Sequence, residues 1–169
     1  TQAIQRNLSI KLMKKIIYIA LYWFIVQMII AQLGTRISYK FLEKDNKYFR
    51  SWNIEQEGQL WQQLVKVQYW KDHLPDGQNL NPNISSKATF DLSKNMNDIQ
   101  RFILETRRAE VVHLLSIFPV IAFFKASKSV KIINFIYVII ANLPCMIVQR
   151  YNRPKLIRIY NKLQKRKGD

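Results

Sequence analysis

Acidic side chains are scarce in this sequence: 11 Asp and Glu stand against 27 Lys and Arg, a formal net charge of +16 over 169 residues. Such an imbalance calls for an anionic partner, either nucleic acid or a membrane surface. A single cysteine, Cys145, excludes an internal disulfide and any cysteine-rich metal site. It lies in an apolar block, where a thiol packs as a small inert hydrophobe. The two histidines, His73 and His113, form no ligand triad with metal spacing, so no metal site is expected. Four glycines leave no Gly-rich phosphate loop. No repeat or low-complexity segment is visible, and the length suits one domain.

What the sequence does have is apolar blocks. Hydrophobic residues make up 49% of the chain, yet the mean hydropathy is −0.15, so they are concentrated. Ile16 to Thr35 carries no charge, and 16–33 reads as a transmembrane helix, since about 20 apolar residues cross the hydrocarbon core. Ile132 to Gln149 is a second uncharged run, holding Asn134, Asn142 and Pro144, which a membrane helix packed on protein tolerates. Val111 to Phe124 is shorter and rises only about 21 Å as a helix. It spans only if it continues from flanking polar residues; otherwise it is re-entrant or interfacial. These blocks set nucleic acid aside, because the basic charge lies beside apolar spans.

Met13-Lys14-Lys15 resembles a start followed by a basic n-region, but no Ala-x-Ala cleavage pattern comes after the first block. An uncleaved anchor is expected. Arg6, Lys11, Lys14 and Lys15 precede it, and residues 150–169 form a basic tail. The middle, residues 36–110, is nearly balanced at 12 basic and 10 acidic side chains. The positive-inside rule puts both ends in the cytoplasm. Two spans with a re-entrant 111–124 satisfy that; three spans do not. The same rule is violated by Lys125, Lys128 and Lys131, which then lie outside. In the tail, Leu156, Ile159, Tyr160 and Leu163 recur at helical spacing among basic residues, the pattern of an interfacial helix on anionic lipid.

The polar region 36–96 holds Trp52, Trp61 and Trp70, residues that collect at a membrane interface. Gly58 to Trp70 reads as a short amphipathic helix. Asp76-Gly77 and residues 79–83 (NLNPN) read as turn and loop. Asn95 or Asn97 is placed to cap a helix bearing Ile99, Phe102, Ile103, Thr106 and Ala109 on one stripe. One helix over 97–124 is expected, entering the membrane. The fold class is therefore mainly α: a small integral membrane protein with two to three membrane-inserted helices, an interfacial region between them and a basic amphipathic C-terminal helix.

Candidate chemistry lies on that helix, in ILETRRAEVVH (103–113). Glu105, Thr106, Ala109 and His113 share about 100° of its circumference, and Glu110 is one turn before His113. A carboxylate beside an imidazole fixes its tautomer, which makes His113 a candidate base with Glu110 or Glu105 as orienter. A histidine bonded to a helix neighbour is the structural alternative. Arg107 and Arg108 are candidates to hold an anionic substrate group. In the last block Asn142 and Gln149 share a face, and Arg150 and Arg153 stand at headgroup depth. They are candidates to bind substrate or a phosphate, with snorkelling anchors as the alternative.

Four stretches together resemble the bacterial glycosyl-4,4′-diaponeurosporenoate acyltransferase family: YWFIVQMIIAQLGTRI (22–37), the WK, DG and LNPNI within 70–84, ETRRAEVVH (105–113) and IANLPCMIVQRYNRP (140–154). They keep the family's order from Met13 onward. The resemblance implies a membrane enzyme of staphyloxanthin-type carotenoid biosynthesis. It would esterify a fatty acyl chain onto a sugar hydroxyl of a glycosylated carotenoid acid. The implied partners are a lipid-soluble glycosylated acceptor and a fatty acyl donor such as acyl-CoA, with no cofactor beyond that co-substrate; anionic membrane lipids are expected from the charge. The H-x-x-x-x-D motif of better-known acyltransferases is absent, His73 and Asp76 having another spacing. An acyltransferase on a different membrane glycolipid, or a non-catalytic assembly or lipid-binding protein, stay open beside this reading.

Overall fold

The computed structural model describes residues 2–44, 46–74 and 95–168, and among them every regular element is helical. Six α-helices run in order: α1 (Gln2–Gly34), α2 (Tyr39–Glu43), α3 (Gln59–Val65), α4 (Val67–Trp70), α5 (Met96–Leu115) and α6 (Lys128–Gly168). Short 3-10 segments lie at Asn53–Gly58, Lys71–His73 and Phe118–Phe123. The turn expected at Asp76-Gly77 and the loop at 79–83 lie outside the described residues.

Two helices are long and apolar enough to cross a membrane, over Ile4–Gly34 and Lys128–Arg166. Most of their apolar side chains are covered by nothing in the protein. Ile17, Leu21, Phe24, Ile25 and Ile29 of α1 are exposed, as are Ile133, Phe135, Ile136 and Ile140 of α6. Such continuous uncovered apolar surface marks an interaction face, and on helices of this length and composition it suits lipid. The protein is a small, mainly α membrane protein.

Paired contacts fix the direction of each pass. Thr106 meets Arg153, Glu110 meets Arg150 and His113 meets Asn142, so α5 and α6 are antiparallel. The Tyr22 hydroxyl donates to the Pro119 carbonyl at 2.8 Å, while Gly34 abuts Val112, so α1 opposes α5 and its 3-10 continuation. It follows that α1 and α6 run parallel. The two ends of the chain thus lie at opposite ends of the bundle, not at one end as the positive-inside count suggested. Lys14 and Lys15 lie toward the same end as Lys125, Lys128 and Lys131, and residues 150–168 toward the other. Trp23 locks the bundle near the first end. It stacks on Phe123 at 5.9 Å, touches Tyr137 at 5.1 Å, and donates to Asn134 Oδ1 at 2.6 Å.

Several boundaries differ from the sequence expectations. Asn95 is the cap of α5, its side chain accepting from Asn97 N–H at 3.0 Å and Asp98 N–H at 3.4 Å. The α5 stripe forms as expected, with Ile99, Ile103 and Thr106 buried. The helix does not continue over 97–124, however. It stops at Leu115, because Pro119 has no N–H for the Leu115 carbonyl and its ring disfavours α geometry just before it. The segment 58–70 is two helices, because Lys66 takes a left-handed φ of 50° between them. The basic tail is no separate helix: α6 runs 41 residues, through Pro144 and Pro154. Of its apolar stripe, Leu156, Tyr160 and Leu163 pack against Ile99 and Ile103 of α5 instead of lying on lipid; Ile159 is exposed.

Gly58 explains how the polar cap seats on α6. Its φ is +94°, and a Cβ there would stand 3.0 Å from the Tyr151 carbonyl and 3.5 Å from that of Arg150. Pro154, four residues past Arg150, supplies no N–H to the Arg150 carbonyl, one of the two backbone oxygens that face this glycine. Gly58→Ala is expected to destabilise by about 1–2 kcal/mol from the left-handed backbone alone, more from the contact. Thermal unfolding in detergent measures it.

Candidate active site

Antiparallel packing of α5 on α6 brings the ETRRAE and QRYNRP stretches face to face. Glu110 and Arg153 are 0% and 2% exposed, so each ion needs a partner inside the protein. Arg150 donates five hydrogen bonds: to Glu55 at 2.5 and 2.7 Å, to Glu110 at 2.8 Å, and to the carbonyls of Tyr48 and Arg50 at 3.0 and 3.2 Å. That uses every N–H a guanidinium has. Arg153 donates to the other Glu110 oxygen, to Thr106 Oγ1 and to the Thr106 carbonyl, each of the latter at 3.0 Å, and to the Phe49 carbonyl at 3.1 Å. Trp52 covers Arg150, with its ring centre 4.4 Å from the guanidinium carbon. Two carboxylates and two guanidiniums alternate as a neutral chain, Glu55–Arg150–Glu110–Arg153.

Glu55 was not singled out by sequence reasoning. It accepts further bonds from the Trp52 N–H at 2.8 Å and the Trp61 indole at 3.0 Å. The next residues, Gln56, Glu57 and Gly58, all have positive φ. This left-handed run aims the carboxylate at α6, and strain of this kind persists only where the surroundings fix it. Burial pushes the Glu55 carboxyl up, but the Arg150, Trp52 and Trp61 hydrogen bonds outweigh it and hold the group below its usual 4.5. The Tyr48 phenol is pushed up to about 12, by burial first and then by the Glu110 carboxylate beside it. A cleft of about 210 Å³ opens at the cluster, lined by Glu55, Arg150 and Arg153 together with Ser51, Arg158 and Asn161.

Glu105, Arg107 and Arg108 form a second knot. Glu105 Oε1 accepts from Arg108 at 2.5 Å and from the Tyr39 hydroxyl at 2.6 Å. Arg108 also donates to the Ile37 carbonyl at 3.0 Å, and Arg107 to the Leu42 carbonyl at 2.6 Å. Both arginines therefore tie α2 and the turn before it to α5. Gln149 is half-buried and makes no side-chain hydrogen bond among the described residues.

His113 sits apart from both knots. Its expected carboxylate partners are used elsewhere: Glu110 turns sideways to α6, and Glu105 turns to Tyr39 and Arg108. The partner the structure gives it is Asn142, whose Oδ1 lies 3.0 Å from His113 Nδ1. Asn142 is 1% exposed, and its Nδ2 donates to the Val138 carbonyl at 3.0 Å. Asn142 was expected on the substrate, so its place beside the imidazole is a change of role. Among the proposed residues, His113 alone offers a base not already bonded to a charged group.

Long apolar passes capped by a layer of paired charges, with an imidazole–amide pair between α5 and α6, describe a small membrane protein. The glycosyl-4,4'-diaponeurosporenoate acyltransferase family model matches residues 45–162. Relatives of that name in Staphylococcus aureus strains MRSA252 and N315 are each 43% identical, covering 94% of this chain and 98% and 95% of their own. No solved structure matches. The chain belongs to the glycosyl-4,4'-diaponeurosporenoate acyltransferase family and is an acyltransferase.

Two outcomes follow for the cluster. Glu110→Gln leaves buried arginine charge uncompensated and is expected to cost about 3–5 kcal/mol, read as lost folded protein or a lowered melting temperature in detergent. Because the Glu55 carboxyl is held below 4.5, its contribution is complete above that pH. Stability is expected to fall as the pH drops from 4.5 through the lower folded value, and Glu55→Gln removes that part of the acid response.

Proposed function

We propose that this protein esterifies a fatty acyl chain onto a sugar hydroxyl of a glycosylated carotenoid acid, in the bacterial cytoplasmic membrane. The observation that carries this reading is the 43% identity running over nearly the whole length of both this chain and its named relatives. The geometry supports it from the chemical side. A carotenoid glycoside and a fatty acyl chain both partition into lipid, and the imidazole stands where the apolar passes meet the polar cap.

In the proposed reaction His113 Nε2 takes the proton of the sugar hydroxyl as the oxygen attacks the acyl carbonyl. A carbon–oxygen bond forms, the carbon–sulfur bond of a thioester donor such as acyl-CoA breaks, and the leaving thiolate takes the proton from the imidazolium. The charge is balanced at each end of the step, so no cofactor enters. Basic residues at both ends of the bundle suit anionic lipid headgroups.

The test is an acyl-transfer assay in nanodiscs with labelled acyl-CoA and a glycosylated carotenoid acid. Wild type is expected to form the ester, and His113→Ala is expected to lose at least about 10²-fold, the usual contribution of a positioned base. Ester formed equally by both removes His113 from the reaction. No ester from wild type with this acceptor, but product with another membrane glycolipid, overturns the acceptor.

A further inference from the structure

We infer that Asn142 is the positioning residue of His113: it holds the imidazole in the tautomer whose Nε2 is the free base. The inference rests on the reading of His113 as that base. The amide's orientation follows from its two neighbours. Val138 O is a carbonyl and only accepts, so the amide group 3.0 Å from it is the NH2 of Asn142. The reverse orientation would set carbonyl against carbonyl. Oδ1 is therefore the atom facing His113 at 3.0 Å, and it too only accepts. The proton of a neutral imidazole must then sit on Nδ1, which leaves the Nε2 lone pair outward.

The same helix repeats this geometry where the assignment is unambiguous. Asn134, eight residues earlier, donates Nδ2–H to the Val130 carbonyl at 2.8 Å and accepts at Oδ1 from the Trp23 indole at 2.6 Å. An indole N–H donates only, so Asn134 must be oriented as Asn142 is inferred to be. Each asparagine uses its own helix carbonyl as a stop and presents an oxygen to a neighbouring pass. At Asn134 the result is a structural lock; at Asn142 it selects a tautomer.

An amide suits this position better than the carboxylate expected from sequence. It orients the ring without adding a fixed charge near lipid. It still accepts from Nδ1–H when the imidazolium forms, as in catalytic sites that use His with Asn. Glu110, one turn away, cannot act as orienter because Arg150 and Arg153 occupy both of its oxygens.

Two measurements test this, one independent of any substrate. In nitrogen-15 histidine-labelled protein carrying His73→Gln, the His113 spectrum is expected to show Nδ1 protonated and Nε2 bare. Asn142→Leu in that background is expected to mix the tautomers. An Nε2–H tautomer before substitution, or an unchanged spectrum after it, overturns the inference even if the acyl-transfer reading stands. In the nanodisc assay Asn142→Leu is expected to lower kcat by between about 10- and 10⁴-fold, the range for losing orientation up to losing the correct tautomer, with KM nearly unchanged. It is expected to add little to His113→Ala. Asn142→Asp is the variant to use should Asn142→Leu fail to fold. It keeps the acceptor toward Nδ1 while losing the donor to the Val138 carbonyl, and is expected to move the acid limb of kcat/KM upward because a carboxylate favours the imidazolium. A folded Asn142→Asp with an unmoved limb contradicts the role. Failure of wild type to form ester, with the spectrum as expected, overturns the proposed reaction and leaves the tautomer assignment standing.

Discussion

Much of the described polar half of this protein is arranged around two arginines that leave a membrane helix with nowhere to send their charge. Arg150 and Arg153 follow directly on an apolar run, one turn apart on α6. Each is nearly inaccessible, and an unpaired guanidinium there would be costly. Glu110 reaches both from α5, and Glu55 reaches Arg150 from the 3-10 segment Asn53–Gly58. The backbone carbonyls of Tyr48, Phe49, Arg50 and Thr106, with the Thr106 hydroxyl, supply the remaining acceptors. The requirement to satisfy two guanidiniums thereby gathers three separate stretches of chain onto one turn of α6. An apolar collapse alone would not specify that arrangement, because the clusters around Val67, Leu42 and Ile99 are small.

This changes the meaning of the residues that make the sequence distinctive. ETRRAE and QRYNRP look like substrate-binding chemistry, being dense in charge beside apolar blocks. In the fold they bind each other and the backbone. The motif that marks the family is largely polar scaffold, and the chemistry proposed above falls on residues just beyond it, His113 and Asn142. A scaffold that is rigid and electrically neutral also serves the site. It holds α5 against α6 at one fixed register, and that register sets the distance between the imidazole and the amide. In the proposed reaction, misplacement of the base by about 1 Å would be enough to cost a large factor in rate.

The apolar passes were legible because twenty uncharged residues have few alternatives, and the start of α5 because Asn95 has a short-range capping role. The sidedness of the two ends was not, since a count of lysines carries no information on which passes are parallel. The Glu110 pairing was missed for a related reason. His113 is three residues away in sequence, whereas Arg150 is forty away, and only the packing of α5 on α6 decides between them. Glu55 had no local motif at all; its orientation comes from the left-handed run Gln56–Gly58, which only Gly58 hinted at. A signal was nonetheless present. Two arginines on the turn after a span, in a chain with 11 acids, demand buried carboxylates, and the balanced segment 36–110 is where they had to come from.

The Glu55–Arg150 pair ties the polar segment to α6, and the two groups are coupled in stability. A double-mutant cycle measures this directly: unfolding in detergent of wild type, Glu55→Gln, Arg150→Met and the double variant. The double variant is expected to be less destabilised than the sum of the two singles, by about 1–3 kcal/mol, as for groups in one ion network. Additive effects, or singles as stable as wild type, would contradict it and return Arg150 to the list of groups free to bind an anion.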